Sequence, residues 1–378
     1  MASPDHRGQI VLLAASILAM ALGSIHAFSV FLSPLEALFD APRALTSVVY
    51  SAGLVFLTAA VLFGPLVYAR VNPVTIFVLV AGLGGLGALI AGFGGSLGAV
   101  FLGYSVVFGV ANGLGYGFGL QFAARTNQRR AGFAMGVVTA AYALGAVLAP
   151  FAFEMALALG GFRAAMIALA SGVVGAGIAA ALLVARTGLR YAQAAVATDR
   201  ATLPIRVIAP LWVAYGCGVA AGLMAIGHAA EIASASGRLG WVAVTAMAGC
   251  NLVGSLLSGS AADRIRHRQI LVALPVIGAV ALTGLAVMPG FAIPLLGAVG
   301  FAYGGTIAVY PAAIASLFPG DSGPRAYGRI FTAWGAAGLV APWFAGMIHD
   351  WSGSYAPALW VAAGLGVLSA VVARRVIV

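Results

Sequence analysis

The sequence predicts an all-α membrane protein, with twelve transmembrane helices arranged as two six-helix bundles. Three observations carry this. Hydrophobic residues make up 62% of the 378 residues and charged residues only 7%, far below the roughly 25% charged residues of a soluble domain. Charges are confined to short punctuations between long apolar runs. The chain also repeats itself: Gly136, Tyr142 and Pro150 sit at the same mutual spacings as Gly328, Trp334 and Pro342, 192 residues further on.

The charge-free runs place the elements in order. In the first half they are 8–35, 44–69, 71–124, 131–153 and 164–185; in the second, 207–230, 239–262, 269–320, 330–349 and 351–373. A helix needs about 20 apolar residues to cross a bilayer, so four runs per half hold one helix and the third holds two. Gly94-Gly95-Ser96 and Pro289-Gly290 are where the long runs are expected to turn. Six helices plus six result. The run after Arg7 is longer than the apolar core of a signal peptide, and the helix count needs it. No alternating ten-residue pattern suggests a barrel.

All 19 basic residues are arginine. With twelve spans both termini share one side, and that side collects every arginine except Arg43, Arg163 and Arg238. The positive-inside rule then puts the termini in the cytoplasm of a multi-pass protein of the cell's inner membrane. The arginines are scattered over short loops, which argues against nucleic acid as a partner. The segment 187–206 reads as a cytoplasmic linker between an N-terminal bundle, 1–186, and a C-terminal bundle, 207–378. Cys217 and Cys250 lie inside apolar stretches and read as small buried hydrophobes. No nucleophile–base arrangement, phosphate loop or metal-ligand spacing is present, so neither enzyme activity nor a cofactor is expected. Gly113-Leu-Gly115-Tyr-Gly117 follows no strand and reads as helix packing. His228-x2-Glu231 is half of a zinc pattern without a second half.

The loop after the eighth helix runs Gly259-Ser-Ala-Ala-Asp263-Arg264-Ile-Arg266-His267-Arg268. A glycine four residues before the aspartate admits a close neighbour, and the carboxylate can accept from a helix N-terminus or an arginine. Asp263 and Arg264 are therefore gate candidates. In the first half the same place is Tyr68, so that copy has lost its latch. This Gly-x3-Asp-Arg loop resembles the signature loop of the major facilitator superfamily. Four more pieces look like its oxalate:formate antiporter and monocarboxylate porter branch: Gly222-x4-Gly227-His228, Asn251-x2-Gly254-x4-Gly259-x3-Asp263, Tyr303-Gly304-Gly305 with Pro311, and Tyr327-Gly328-x3-Thr332-Ala333-Trp334-Gly335. The resemblance implies a monomeric secondary carrier for small organic acids, working by alternating access with a proton or counter-solute. It also implies two departures. Ser255 stands where dicarboxylate carriers of the branch have an arginine, and Trp334 where they have a lysine.

Depth selects the pocket candidates. The midplane of a ~30 Å core lies about ten residues from either helix end, which puts Asn112, Tyr142, Asn251 and Ser255 near the middle, with Tyr116, Tyr303 and Trp334 close by. The repeat aligns Asn112 with Tyr303, and Tyr142 with Trp334 across a shared cavity between the halves. Polar atoms at that depth need a partner, either a neighbouring helix or a hydrated cavity. His26 and His228 are the proton-coupling candidates, histidine being the side chain that changes charge near neutral pH. The small-molecule substrate expected is a monocarboxylate. An exporter of neutral or lipophilic compounds and a membrane sensor without transport are the rival readings.

Overall fold

A computed structural model describes residues 4–191, 203–235, 237 and 240–376. The middle of the expected linker, 192–202, lies outside the described residues, as do Arg200 and Arg238. No strand occurs among the described residues. The helices are α1 (His6–Phe39), α2 (Arg43–Tyr68), α3 (Pro73–Phe93), α4 (Leu97–Thr126), α5 and α6 (131–159 and 162–187), α7 (Ile205–Ile226), α8 (Gly240–Ala262), α9 (His267–Val287), α10 (Ala292–Leu317), α11 (Ser322–Ser352) and α12 (Ala356–Val376). α5 and α6 form one continuous run, broken at Gly160 and Gly161. Gly161 has φ +65°, a left-handed conformation that costs glycine nothing and other residues energy. With that break counted, the described helices long and apolar enough to cross a membrane number twelve; a short helix, Ala229–Ala235, lies between α7 and α8.

The expected turns fall where the sequence put them. α3 ends at Phe93, Gly95 takes φ +66°, and the Ser96 hydroxyl accepts the Ala99 N–H at 3.1 Å to start α4. α3 starts on Asn72, whose side chain accepts from Thr75 N at 2.8 Å with Pro73 at the first helical position. Two departures from α-geometry are not written in the composition. α1 tightens to a 3-10 helix over Ser24–Phe31, and α4 widens to a π-helix over Phe101–Phe108. They meet: Tyr104 OH donates to Ile25 O at 3.1 Å, and the Phe28 and Tyr104 rings lie 5.0 Å apart. Irregular turns of this kind often sit near functional sites.

The chain divides into two compact units: Met1–Gln128 with Ala141–Val196, and Arg129–Ala140 with Ala197–Val378. Each is built on the same close crossing. In unit 1 a Cβ on Gly109 would stand 2.8 Å from the Gly53 carbonyl oxygen, and one on Gly113 would fall onto the Leu57 carbonyl. In unit 2, Gly300 and Gly304 of α10 press on the carbonyls of Met247 and Asn251 in α8. Small residues four apart let two backbones approach where lipid supplies no hydrophobic drive for helix association. A serine staples each crossing: Ser105 Oγ donates to Val49 O at 2.7 Å, and Ser255 Oγ to Gly304 O at 3.1 Å. Gly304→Val should therefore force α8 and α10 apart, with an overpacking cost of about 1–3 kcal/mol or more. Low yield and aggregation on size exclusion are expected. Gly82→Val, at a position with nothing within 4 Å of the new Cβ, should leave the profile unchanged.

Candidate functional site

Unit 1 gathers four of the expected residues into one cluster. Asn112 on α4 is fully buried, so its amide must be satisfied from within. Its Nδ2 donates to Leu22 O of α1 at 2.6 Å, and its Oδ1 accepts from Tyr142 OH of α5 at 2.9 Å. The Tyr142 ring stands edge-on to His26, with centroids 5.5 Å apart, and 4.8 Å from the Tyr116 ring. His26 in turn places Nδ1 2.8 Å from Tyr50 OH on α2. The Tyr50 ring stacks on Phe28 at 5.9 Å. Tyr50 escaped the sequence reading, because its pairing with His26 is set by the packing of α1 on α2, not by any spacing in the chain.

Unit 2 carries the matching arrangement. Trp334 Nε1 on α11 donates to Tyr303 OH on α10 at 2.9 Å, and the indole stacks on Phe331 at 5.2 Å and 14°. Gly222 of α7 leaves room for the Tyr303 ring, which a Cβ there would meet at 2.7 Å. In both units, then, a large aromatic on the fifth helix donates a hydrogen bond to a polar side chain on the fourth. The donors, Tyr142 and Trp334, are 192 residues apart. The acceptors, Asn112 and Tyr303, are 191 apart. This is the repeat expressed as chemistry rather than as spacing.

The other expected residues are placed differently. Ser255 is fully buried, with its hydroxyl on the Gly304 carbonyl, and Asn251 packs its backbone and side-chain carbonyls against the same glycine. Both therefore serve the α8–α10 crossing. Beside Tyr303, a cavity of ≈ 10 Å³ is lined by Gly218, Gly222, Leu274, Pro275 and Thr306 among others. That holds about one water molecule, not an organic acid. His228 stands apart from Trp334, bonded to Pro342 eight residues further along α11, about 12 Å of helix rise.

Asp263 accepts from a helix N-terminus, one of the two kinds of partner expected for it. Its two carboxylate oxygens accept the backbone N–H groups of Gly132 and Phe133 at 2.7 and 2.8 Å, at the start of α5. These are among the donors a helix N-terminus leaves unsatisfied, and the helix dipole favours the negative charge there. The backbones cross closely beside this bond. A Cβ on Gly136 would stand 2.7 Å from Ser255 O, and one on Gly259 2.7 Å from Gly132 O. Arg264 is exposed next to Asp263. In unit 1, Tyr68 is buried and its hydroxyl donates to Leu114 O at 3.2 Å.

The likeness to known proteins runs the length of the chain. The model of the Major Facilitator Superfamily family matches residues 208–378. An uncharacterized MFS-type transporter of Escherichia coli (strain K12), YhjX, is 26% identical over 347 residues, covering 87% of this chain and 85% of that protein. Among solved structures, the transporter FucP in its outward conformation superposes with a TM-score of 0.73 at 14% identity, over 97% of this chain and 98% of that one. The proton:xylose symporter XylE, bound to 6-bromo-6-deoxy-D-glucose, gives 0.73 at 13% identity, over 98% and 95%. The second half of the chain thus matches the Major Facilitator Superfamily model, a transporter relative runs alongside most of its length, and the whole chain has the fold of the transporters FucP and XylE.

Proposed function

We propose that the protein is a secondary carrier of a small monocarboxylate, working by alternating access in the inner membrane with both termini cytoplasmic. One observation carries the substrate class. The paired donors Tyr142–Asn112 and Trp334–Tyr303 offer hydroxyls, an amide and indole surface, while every described arginine sits at or near a helix end. An unpaired ion at mid-depth costs at least several kcal/mol. A dianion brings two such charges; a monocarboxylate brings one, and a proton carried with it removes that one. In this reading the solute-contacting residues are Asn112, Tyr116 and Tyr142 of unit 1 and Tyr303 and Trp334 of unit 2, where Asn251 and Ser255 hold the α8–α10 crossing. His26, within reach of Tyr50 and Tyr142, is the proton carrier, and Asp263 with Arg264 forms the inner gate. This reading follows the resemblance to the oxalate:formate branch, with Ser255 and Trp334 in place of its two cations suiting a singly charged or neutral solute.

A second reading has its own support. The structural neighbours include a fucose:proton and a xylose:proton symporter, and aromatic walls such as those of Tyr142 and Trp334 also suit a neutral polyhydroxylated solute. Thermal-shift measurements on the purified protein separate the two. Acetate and lactate are expected to raise the melting temperature, with oxalate and neutral sugars inert. Stabilisation by a sugar and by no carboxylate selects the second reading.

A further inference from the structure

A second polar cluster lies within unit 2, where α7 gives way to the short helix Ala229–Ala235. His228 places Nε2 2.9 Å from Pro342 O on α11, and Nδ1 3.0 Å from a Glu231 carboxylate oxygen. The Tyr355 hydroxyl, just before α12, lies 3.1 Å from the same Nδ1 and donates to the same Glu231 oxygen. Its ring packs on two imidazoles, His349 at 4.2 Å and 25° and His228 at 5.0 Å and 34°. His349 Nδ1 is 3.7 Å from Asp350. Gly346 of α11 lies beside the ring, where a Cβ would make ordinary van der Waals contact with His228 at 3.6 Å.

The donors and acceptors fix the protons. A carbonyl oxygen only accepts, so Nε2 carries a hydrogen. A carboxylate also only accepts, so the contact of Nδ1 with Glu231 is attractive only when Nδ1 carries one too. Tyr355 already gives its hydrogen to Glu231 and cannot serve Nδ1 as well. The arrangement is therefore complete with an imidazolium at His228. Without that extra proton, the Nδ1 lone pair faces the carboxylate, and the Tyr355 hydroxyl must turn from Glu231 to Nδ1.

We infer that His228, Glu231 and Tyr355 form a proton-operated clasp, which ties the short helix Ala229–Ala235 to α11 and the start of α12 and releases it when His228 loses its proton. The groups facing it are His228, Glu231, Tyr355, His349 and Asp350. The signs are consistent. Hydrogen bonds from Tyr355 and then His228 hold the Glu231 carboxyl below its ordinary range. Its contribution is present above that ordinary range and is lost only as pH falls through the lowered value. The second imidazole proton completes the contact of His228 with Glu231, and its loss opens that contact. The clasp is thus closed in mildly acidic medium and open in alkaline medium. This inference rests on unit 2 alone and needs no knowledge of the solute.

Amide hydrogen exchange of residues 229–235, in the purified protein in nanodiscs, tests it without any ligand. After correction for intrinsic rates, exchange should be about tenfold faster at about pH 8.5 than at about pH 6, the factor set by one charged hydrogen bond. Glu231→Gln should remove that pH dependence. Tyr355→Phe should remove it in part, and Gly82→Ala, outside the cluster, should keep it. Equal protection at both pH values in the unsubstituted protein, or full pH dependence in Glu231→Gln, overturns the clasp. Should Glu231→Gln not fold, the Tyr355→Phe comparison decides alone, and unaltered pH dependence there overturns it.

Discussion

Trp334→Ala should abolish solute binding while leaving a folded membrane protein. The indole is 7% exposed, stacked on Phe331 and bonded to Tyr303. Its removal costs up to about 3–5 kcal/mol of packing if the site cannot collapse, and it also deletes an aromatic surface and the indole N–H that Tyr303 OH accepts. Trp334→Phe separates these effects, because it keeps most of the ring and loses only the donor. Loss of the ligand-induced thermal shift is expected in Trp334→Ala, and an intermediate shift in Trp334→Phe. If Trp334→Ala binds like the unsubstituted protein, Trp334 is a packing residue and the site lies elsewhere.

Asp263→Asn should change the transport rate more than it changes stability. Two carboxylate oxygens hold two backbone N–H groups at the start of α5. An asparagine keeps one acceptor, loses the second and carries no charge to complement the helix dipole. The carboxylate is exposed, so the loss is modest, about 1 kcal/mol. That is enough to shift a two-state gate by about fivefold. The exchange rate in proteoliposomes should change by about that factor at an unaltered melting temperature. Rates equal to those of the unsubstituted protein would leave Asp263 a helix cap and nothing more.

Where a feature depended on periodicity, it was legible in the sequence. Gaps between charges located the helices, because an ion in hydrocarbon is costly wherever it stands. The offset of 192 residues between Tyr142 and Trp334 located the two donors, because the two halves fold alike. Asp263 was legible as an acceptor, but its partner was not, since nothing near Gly132 names α8 as a neighbour until Gly136 and Gly259 are seen to cross. Tyr50 was missed for the same reason. His26 and His228 look like a pair in the sequence, yet they are 202 residues apart, ten off the repeat. Ten residues are about 15 Å of helix, so one histidine joins the Tyr142 cluster and the other the Tyr355 clasp. The 3-10 stretch of α1 and the π stretch of α4 contain no proline. Within them Tyr104 reaches Ile25 O, a contact between residues 79 apart that no local pattern announces.

Charge selectivity tests the central claim most directly. Proteoliposomes loaded with unlabelled lactate and diluted into labelled lactate should accumulate label, and external acetate should compete. Oxalate should compete at least about tenfold less well, since its second charge has no counter-charge among Asn112, Tyr142, Tyr303 and Trp334. Oxalate competing as well as acetate, or accumulating by itself, would contradict the account and require a cation at the site.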